Sequence, residues 1–205
     1  FGNNSSMSER KVINSISKDY ELWESFRNGN EKAFSEIFNA HVQMLFRYGI
    51  KFIADEEMVK DSIQELFIKL YHNRQNLSAT DNIRLYLFRA LKNKLIDALY
   101  SRKDTVSLSS AVLTFEIANP EEPDQEDDWD RIVQKSRLKK GIQALTARQR
   151  EAIYLRYTMD MSLEEISSLL EMNYQSARNL IHRSVEKLRK ELLLNLALLI
   201  YLAFN

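Results

Sequence analysis

Hydrophobic residues recur at intervals of three and four along most of the first hundred positions, which is the spacing of amphipathic α-helices. The stretch from Asp19 to Ile53 predicts two consecutive helices, with Gly29 as the turn between them. Their apolar positions are Leu22, Phe26, Phe34, Ile37, Phe38, Val42, Leu45, Phe46 and Ile50. No segment of the sequence alternates convincingly as a strand would. We therefore predict an all-α fold.

Two further helices are predicted, one from about Asp55 to Asn73 and one from about Ile83 to Arg102, on either side of the polar loop NRQNLSATDN. The first of them gathers its apolar residues on one face: Val59, Ile63, Leu66, Phe67 and Leu70. The second repeats a leucine every fourth residue, at Leu87, Leu91, Leu95 and Leu99. Both patterns favour helices that pack into one helical domain.

The periodicity disappears between Asp104 and Asp130, where both prolines lie. This stretch holds nine carboxylates and no Lys or Arg. Because charge of one sign with few large apolar groups cannot offset the entropy of ordering, we predict an extended, flexible acidic linker. The chain is thus expected to form two small helical domains joined by this linker.

Helical spacing returns after the linker, with a helix predicted over 131–145. Thr146 and Gln149 have the spacing of a capping box at the start of the next helix, and Ser162 and Glu165 repeat it. The tight turn EMN then precedes the longer basic stretch NYQSARNLIHRSVEKLRK. A short helix, a tight turn and a basic helix predict a helix-turn-helix unit.

The helix-turn-helix reading separates core positions from exposed polar ones. Its predicted core is Ile166, Leu169, Leu170, Ala177, Leu180, Ile181, Val185 and Leu188. Its exposed candidates for DNA contact are Gln175, Ser176, Arg178, Asn179, His182, Arg183 and Lys187. Amide and guanidinium groups can pair with base edges, and basic groups can bind phosphates. A plain three-helix bundle with a solvated polar face remains the alternative.

The charge distribution supports nucleic-acid binding although the formal net charge is zero. Residues 131–191 carry thirteen basic and seven acidic side chains, and residues 81–103 carry six and two. The acidic linker therefore masks two basic regions, and regional charge decides which partners each region attracts.

Catalysis is not predicted. The absence of cysteine excludes disulfides, thiolate zinc sites and thiol nucleophiles, and it suits a reducing cytoplasm. The three histidines, His41, His72 and His182, lie far apart without metal-ligand spacing. We expect no enzymatic activity, no cofactor and no metal.

The two ends of the chain differ in polarity. The polar start FGNNSSMSERK has no apolar core, so we expect no signal peptide. The end is apolar from Leu192 to Phe204 apart from Asn195, which is shorter than the roughly 20 residues that span a bilayer. We predict a C-terminal helix that packs on its own domain or on a partner, with a membrane-surface anchor as an alternative.

The motifs resemble those of bacterial sigma factors. Region 4 of that family is matched by Leu145, Arg150, Ser162, Glu165, Ile166, His182, Arg183, Leu188 and Arg189. Region 2 is matched by Asp61, Gln64, Glu65 and Phe67, and by Tyr86, Leu87, Asn93 and Asp97. With no room for other regions, the chain resembles the extracytoplasmic-function (ECF) group. The resulting domains are a flexible N-terminus 1–18, region 2 over 19–103, the linker 104–130, region 4 over 131–191 and the apolar helix 192–205.

The resemblance implies a role for each surface. Asp61, Gln64, Glu65 and an exposed Phe67 would dock on the clamp coiled coil of the polymerase β′ subunit. The loop Asn76–Asn82 would bind and open the minus-ten element together with Arg84, Tyr86, Arg89, Lys92, Asn93 and Lys94. The seven polar residues of the recognition helix would read the minus-35 element while region 4 contacts the β flap. The linker would follow the RNA exit path.

The resemblance also implies a cytoplasmic protein without a membrane span, held inactive by an anti-sigma protein that the apolar tail could contact. Two positions depart from the family: Tyr86 stands where Trp is frequent, and Leu180 stands where a basic residue is frequent. Leu180 is expected to shift DNA contacts onto Asn179 and Arg183. The alternatives are a conventional helix-turn-helix regulator with an N-terminal sensor or dimerisation domain, and a helical adapter that binds only protein.

Overall fold

A computed structural model describes residues 18–101, 115–116 and 138–203, with the backbone alone for residues 193–203. All regular structure within these ranges is helical, which confirms the predicted fold class. The chain divides into two compact units, Phe1–Ala111 and Val112–Asn205. Within the described ranges, no helix combines the length and apolarity needed to cross a membrane.

The first unit contains four α-helices. They are α1 (residues 18–27), α2 (Glu31–Gly49), α3 (Glu56–His72) and α4 (Ile83–Ser101), with a 3₁₀ turn over Arg74–Asn76. Side-chain caps fix the starts of α2 and α3: the Asn30 side chain accepts from Lys32 N and Ala33 N, and the Asp55 side chain accepts from Met58 N. Gly29 has φ +93°, a left-handed conformation suited to glycine in the predicted turn.

The core of the first unit lies where α2, α3 and α4 pack against one another. Trp23 and Phe26 of α1, Tyr48 of α2 and Phe88 of α4 are almost fully buried. Helices α2 and α3 approach closely at Gly49, where an added Cβ would lie 2.6 Å from Val59 Cγ1. This position has no room for a side chain.

The second unit contains α5 (residues 138–144), α6 (Ala147–Tyr157), α7 (Leu163–Leu169) and α8 (Tyr174–Ala203). Both predicted capping boxes are present. Thr146 and Gln149 bond reciprocally at the start of α6, and Ser162 and Glu165 do the same at the start of α7. These bonds satisfy backbone N–H groups that a helix start would otherwise leave without a partner.

Helix α8 packs against α6 and α7 to form the helix-turn-helix core. Five of the eight predicted core residues are buried (Ile166, Leu169, Leu170, Ala177 and Ile181), and Leu180, Val185 and Leu188 are half-buried. The Arg148 side chain braces the end of α7, since its Nη2 donates to Leu170 O at 2.7 Å. Glu171 makes the tight turn with φ +51°.

Helix α8 continues without a break from the basic stretch to Ala203. The apolar segment predicted as a separate C-terminal helix is therefore a direct extension of the recognition helix. Its side chains after Leu192 lie outside the described residues, as does most of the predicted N-terminal segment 1–18. The prediction that the apolar tail packs on its own domain or on a partner stays a prediction.

Phe115 lies within the predicted linker, most of which is outside the described residues. Its side chain is 1% exposed, and its ring centroid is 5.5 Å from that of Tyr154 in α6. The acidic composition of this stretch does not indicate a buried aromatic residue. At this position the chain is packed on the second unit, where an extended and flexible segment was expected.

Candidate polymerase and promoter interfaces

The exposed face of α3 contains three of the four residues predicted to bind polymerase. Asp61, Gln64 and Glu65 are all exposed, and their spacing of three and four places them on one side of the helix. Two of the three are acidic, so this face suits a basic partner surface. The geometry brings these side chains together as the sequence predicts.

The expectation that Phe67 is an exposed aromatic is wrong. Phe67 is 3% exposed, and its ring lies 4.8 Å from that of Phe38 and 6.2 Å from that of Phe34. It belongs to the apolar stripe of α3, because about 100° per residue places it about 120° round the helix from Asp61 and about 160° from Glu65. The exposed apolar side chain on that side is Ile68, which is 48% exposed.

Ile68 also borders a groove of about 940 Å³ between α2 and α3. Phe38, which is 36% exposed, and Gln64 line the same groove. The sequence reasoning missed Ile68, although its place seven residues after Asp61 and four after Gln64 is a signal that could have found it. An apolar residue bordered by polar groups fits the apolar centre and polar rim of a protein interface.

The seam between α3 and α4 is strongly acidic. Five carboxylates line a cleft of about 470 Å³ there: Asp55, Glu57, Asp61, Glu65 and Asp97. Lys94 of α4 lines the same cleft, and its Nζ forms an ion pair with Glu65 Oε2. A residue predicted to contact DNA is therefore paired with one predicted to contact polymerase.

Four of the predicted minus-ten residues share one side of α4. Helical geometry places Tyr86, Arg89, Lys92 and Asn93 within about a third of a turn of one another. Arg89 and Asn93 are exposed, and Lys92 Nζ lies 5.7 Å from the centre of the Phe52 ring. Lys94 borders this side and lines one cavity with Tyr86 and Asn93, whereas Arg84 lies on another side of the helix, so the structure does not bring all six residues together.

Tyr86 stands against the core of the first unit. Its ring centroid is 4.9 Å from that of the fully buried Trp23, and burial raises the pKa of its phenol above the ordinary value of 10.0. Tyr86 and Asn93 line a cavity of about 320 Å³ between α3 and α4. Lys94 and Leu77, which belong to the predicted minus-ten surface, line it as well, together with Lys69 and Asn73, which the sequence did not single out.

The loop between α3 and α4 is held by hydrogen bonds from distant parts of the first unit. Trp23 Nε1 donates to Ser78 O at 2.9 Å, and Ile83 N donates to Asp19 Oδ2 at 3.1 Å. Asn82 caps α4 locally, because its Oδ1 accepts from Leu85 N at 2.8 Å. Helix α1 thus fixes the loop that was predicted to bind the minus-ten element.

The polar face of α8 is displayed as predicted. Gln175, Ser176, Arg178, Asn179, His182 and Arg183 are exposed, and Lys187 is half-buried. Gln175 Nε2 donates to Asn179 Oδ1 at 3.2 Å, which couples two amide groups near the start of the helix. The Asn173 side chain caps this start by accepting from Ser176 N at 2.7 Å. Amides near the N-terminal end of a recognition helix are well placed to reach base edges.

Leu180 lies at the boundary between the polar face and the core. It is half-buried, and its backbone oxygen accepts from Ser184 Oγ at 2.7 Å. Its exposed neighbours Asn179 and Arg183 project from the polar face. Leu180 therefore contributes apolar packing at this boundary.

Two family models match the chain, one for each unit. The model described as "Sigma-70 region 2" covers residues 37–105, and the model described as "Sigma-70, region 4" covers residues 135–188. Together they cover more than half of the chain and include α3, α4 and the helix-turn-helix.

Similar proteins support the same assignment. ECF RNA polymerase sigma factor SigW of Bacillus subtilis is 25% identical over 174 residues, which is 81% of this chain and 92% of that protein. RNA polymerase sigma factor CarQ of Myxococcus xanthus is 28% identical over 176 residues, which is 82% of this chain and 93% of that protein.

Solved structures show the same fold. CnrH in complex with the cytosolic domain of CnrY has a TM-score of 0.56 at 21% identity, covering 84% of this chain and 95% of that one. The sigma factor RpoE of Bartonella quintana, in complex with the anti-sigma factor NepR, has a TM-score of 0.57 at 22% identity, covering 78% and 97%. With both regions matched and ECF sigma factors as relatives, the chain belongs to the sigma-70 family of RNA polymerase sigma factors, within its two-domain ECF group.

Proposed function

We propose that the first unit binds polymerase through α3 and the minus-ten element through α4, while α8 reads the minus-35 element. The observation that carries the proposal is the adjacency of two unlike surfaces in one small unit. The face of α3 is acidic and apolar, whereas the side of α4 with Arg89, Lys92 and Asn93 is basic and polar. A sensor or dimerisation domain has no need of a basic DNA-facing helix, so the conventional-regulator alternative is disfavoured.

The polymerase contact is assigned to Asp61, Gln64, Glu65 and Ile68, with the clamp coiled coil of β′ as the partner. The two carboxylates complement a basic helix surface, and Ile68 supplies the apolar contact that Phe67 cannot. Phe67 supports this face indirectly, because its buried ring packs α3 against Phe34 and Phe38 of α2.

The minus-ten contact is assigned to the side of α4 with Tyr86, Arg89, Lys92 and Asn93, and to the loop that precedes α4. The cations would follow the phosphate backbone of a separated strand. The cavity beside Tyr86 and Asn93, about 320 Å³, offers amide and ammonium groups to a base that has left the stack. Lys94 contributes once its pairing with Glu65 is broken.

The minus-35 contact is assigned to α8, with Gln175, Arg178 and Asn179 at base edges and Arg183 at a phosphate. Ser176, His182 and Lys187 complete the polar face. Six of these seven side chains are exposed and Lys187 is half-buried, and this exposure supports the reading together with the helix-turn-helix packing. Because Leu180 lacks charge, Asn179 and Arg183 would contribute more of the contact. Region 4 would also meet the β flap.

The protein would act without chemistry or cofactor of its own, in the cytoplasm, where polymerase and promoters are found. Two of its structural neighbours are complexes with CnrY and with the anti-sigma factor NepR. By analogy we propose an anti-sigma protein that covers the α3 face and the DNA-facing surfaces. The apolar tail from Leu192 is a candidate contact for it.

The decisive experiment is binding to purified core polymerase, followed by transcription from a promoter library. The Asp61→Lys and Gln64→Ala variants are expected to lose binding to core, whereas Glu36→Ala on the exposed side of α2 is a matched control. The Asn179→Ala variant should bind core normally but lose activity at minus-35-dependent promoters. Tight operator binding by the isolated chain, with no affinity for core, would overturn the proposal in favour of a conventional regulator.

A further inference from the structure

Phe115 is joined to the second unit by packing and by hydrogen bonds. Its side chain is 1% exposed and meets Tyr154 at a ring centroid distance of 5.5 Å. Its backbone oxygen accepts from Arg150 Nε at 2.6 Å, while Arg150 Nη1 donates to Leu145 O at 2.9 Å. One guanidinium therefore bonds both to the inter-domain segment and to the turn before α6.

The local chemistry makes this a specific contact. A phenyl ring buries a large apolar area when it is removed from water. A charge-assisted hydrogen bond to a backbone oxygen is stronger than a neutral one and fixes the direction of the chain. Both interactions act on the same residue, so Phe115 is held by its side chain and by its backbone.

We propose that Phe115 is an anchor that fastens the inter-domain segment to region 4 and thereby sets how far apart the two promoter-binding units can reach. The chain that joins the described parts of the two units is then residues 102–114, whereas the composition suggests a linker that runs to Asp130. Residues 117–137 begin and end at the second unit, so their length does not affect this reach. Phe115 and Arg150 are positioning residues, and the promoter-level consequence rests on the proposed two-site binding.

The difference in reach is large. Fourteen peptide units separate Ser101 from Phe115, and a fully extended chain of that length spans at most about 50 Å. Without the anchor, 37 peptide units separate Ser101 from the described start of α5 at Leu138, with an upper limit of about 130 Å. For a flexible tether, that lengthening lowers the effective concentration of one unit at the other's DNA site about fourfold.

The test compares insertions on the two sides of the anchor. Ten Gly/Ser residues are inserted after Ser107, between α4 and Phe115, or after Asn119, between Phe115 and α5. The chain has no cysteine, so spin labels at Glu36→Cys and Glu164→Cys report the distance between the units by double electron–electron resonance. Both label sites are exposed, and neither is assigned to a partner. The measurement uses the full chain without polymerase or DNA, so its result does not depend on the proposed function.

With Phe115 present, the insertion after Ser107 should lengthen the tether's root-mean-square span by about 30% and shift the distance distribution outward. The insertion after Asn119 should leave the distribution unchanged. In the Phe115→Ala variant, the inter-label distances should already be longer than in the parent chain, and each insertion should lengthen them further. Phe115→Leu, which keeps an apolar anchor, should behave like the parent, and circular dichroism should show that each variant retains its helices.

The promoter-level consequence is tested with holoenzyme on templates whose spacers differ by single base pairs. Phe115→Ala should raise transcription from the non-optimal spacers relative to the optimal one, by up to about fourfold. The proposed anchor would be contradicted if the two insertions shifted the inter-label distance distribution of the parent chain equally. It would also be contradicted if neither the insertions nor Phe115→Ala changed that distribution. A confirmed distance effect with an unchanged spacer profile would overturn only the link to promoter choice.

Discussion

The assignments of Phe67 and Ile68 make opposite predictions for two neighbouring truncations in α3. Phe67→Ala removes a ring that is 3% exposed and packed against two other aromatic rings. Truncations of this kind cost about 3–5 kcal/mol, because apolar burial is lost and a cavity remains. Ile68 is 48% exposed, so Ile68→Ala should cost less than about 1 kcal/mol.

The stability difference can be measured by urea unfolding followed through tryptophan fluorescence. Trp23 is fully buried and donates Nε1 to Ser78 O, so its emission reports the first unit. The chain has two tryptophans, and Trp129→Phe leaves Trp23 as the only reporter. A loss of 3 kcal/mol in a domain of this size lowers the Tm by at least about 12 °C, which thermal unfolding would detect independently.

Affinity for core polymerase should follow the opposite order. A central interface contact is worth about 2 kcal/mol, so Ile68→Ala should weaken binding about 30-fold. Phe67→Ala should bind core normally at temperatures at which it remains folded. A Phe67→Ala protein as stable as the parent would refute the core assignment, and unchanged affinity of Ile68→Ala would refute the assigned polymerase face.

Three further predictions concern packing, DNA binding and pH. Gly49→Ala should lower the free energy of unfolding by about 1–3 kcal/mol, because the added Cβ would lie 2.6 Å from Val59 Cγ1. The double variant with Val59→Ala should recover part of the lost free energy, as measured by urea unfolding. For binding of holoenzyme to a labelled minus-35 duplex, Arg183→Ala should reduce the slope of the logarithm of the binding constant against the logarithm of the salt concentration by about 1. Asn179→Ala should leave this slope unaltered and change the preference for particular bases instead. Burial raises the pKa of Tyr86, so the folded state retains the phenol proton more strongly and stability should fall as pH rises above about 10. Tyr86→Phe should weaken that dependence in denaturation measured between pH 9 and about 11, and an unchanged profile would contradict the assigned cause.

Much of the fold follows from local sequence signals. The capping boxes at Thr146 and Ser162 were predicted from spacing alone, because each needs only two residues three positions apart. The turn at Gly29 and the helix boundaries of the first unit were similarly local. The exposed polar face of α8 followed from the period of 3.6 residues.

Side-chain environments that depend on tertiary packing were harder to predict. The apolar stripe of α3 already placed Phe67 in the core, but the family resemblance suggested an exposed aromatic, and packing against Phe34 and Phe38 decided for burial. The ion pair between Lys94 and Glu65 joins two helices that are separate in the sequence, so the periodicity within either helix does not indicate it.

Phe115 illustrates a different limit. Net charge and proline content describe a segment on average, and an average of this kind hides one aromatic side chain that fits a site on α6. Its two partners, Arg150 and Tyr154, lie 35 and 39 positions further along the chain. Only the folded arrangement of the second unit brings them to one place.

The ion pair between Glu65 and Lys94 has a consequence for how the two surfaces of the first unit can evolve. In the proposed assignment of α3 to polymerase and α4 to promoter DNA, a substitution at this seam alters the groups offered to the protein partner and, at the same time, the cations offered to the nucleic acid. The two recognition tasks are therefore not independently adjustable, and a change that improves one must be tolerated by the other.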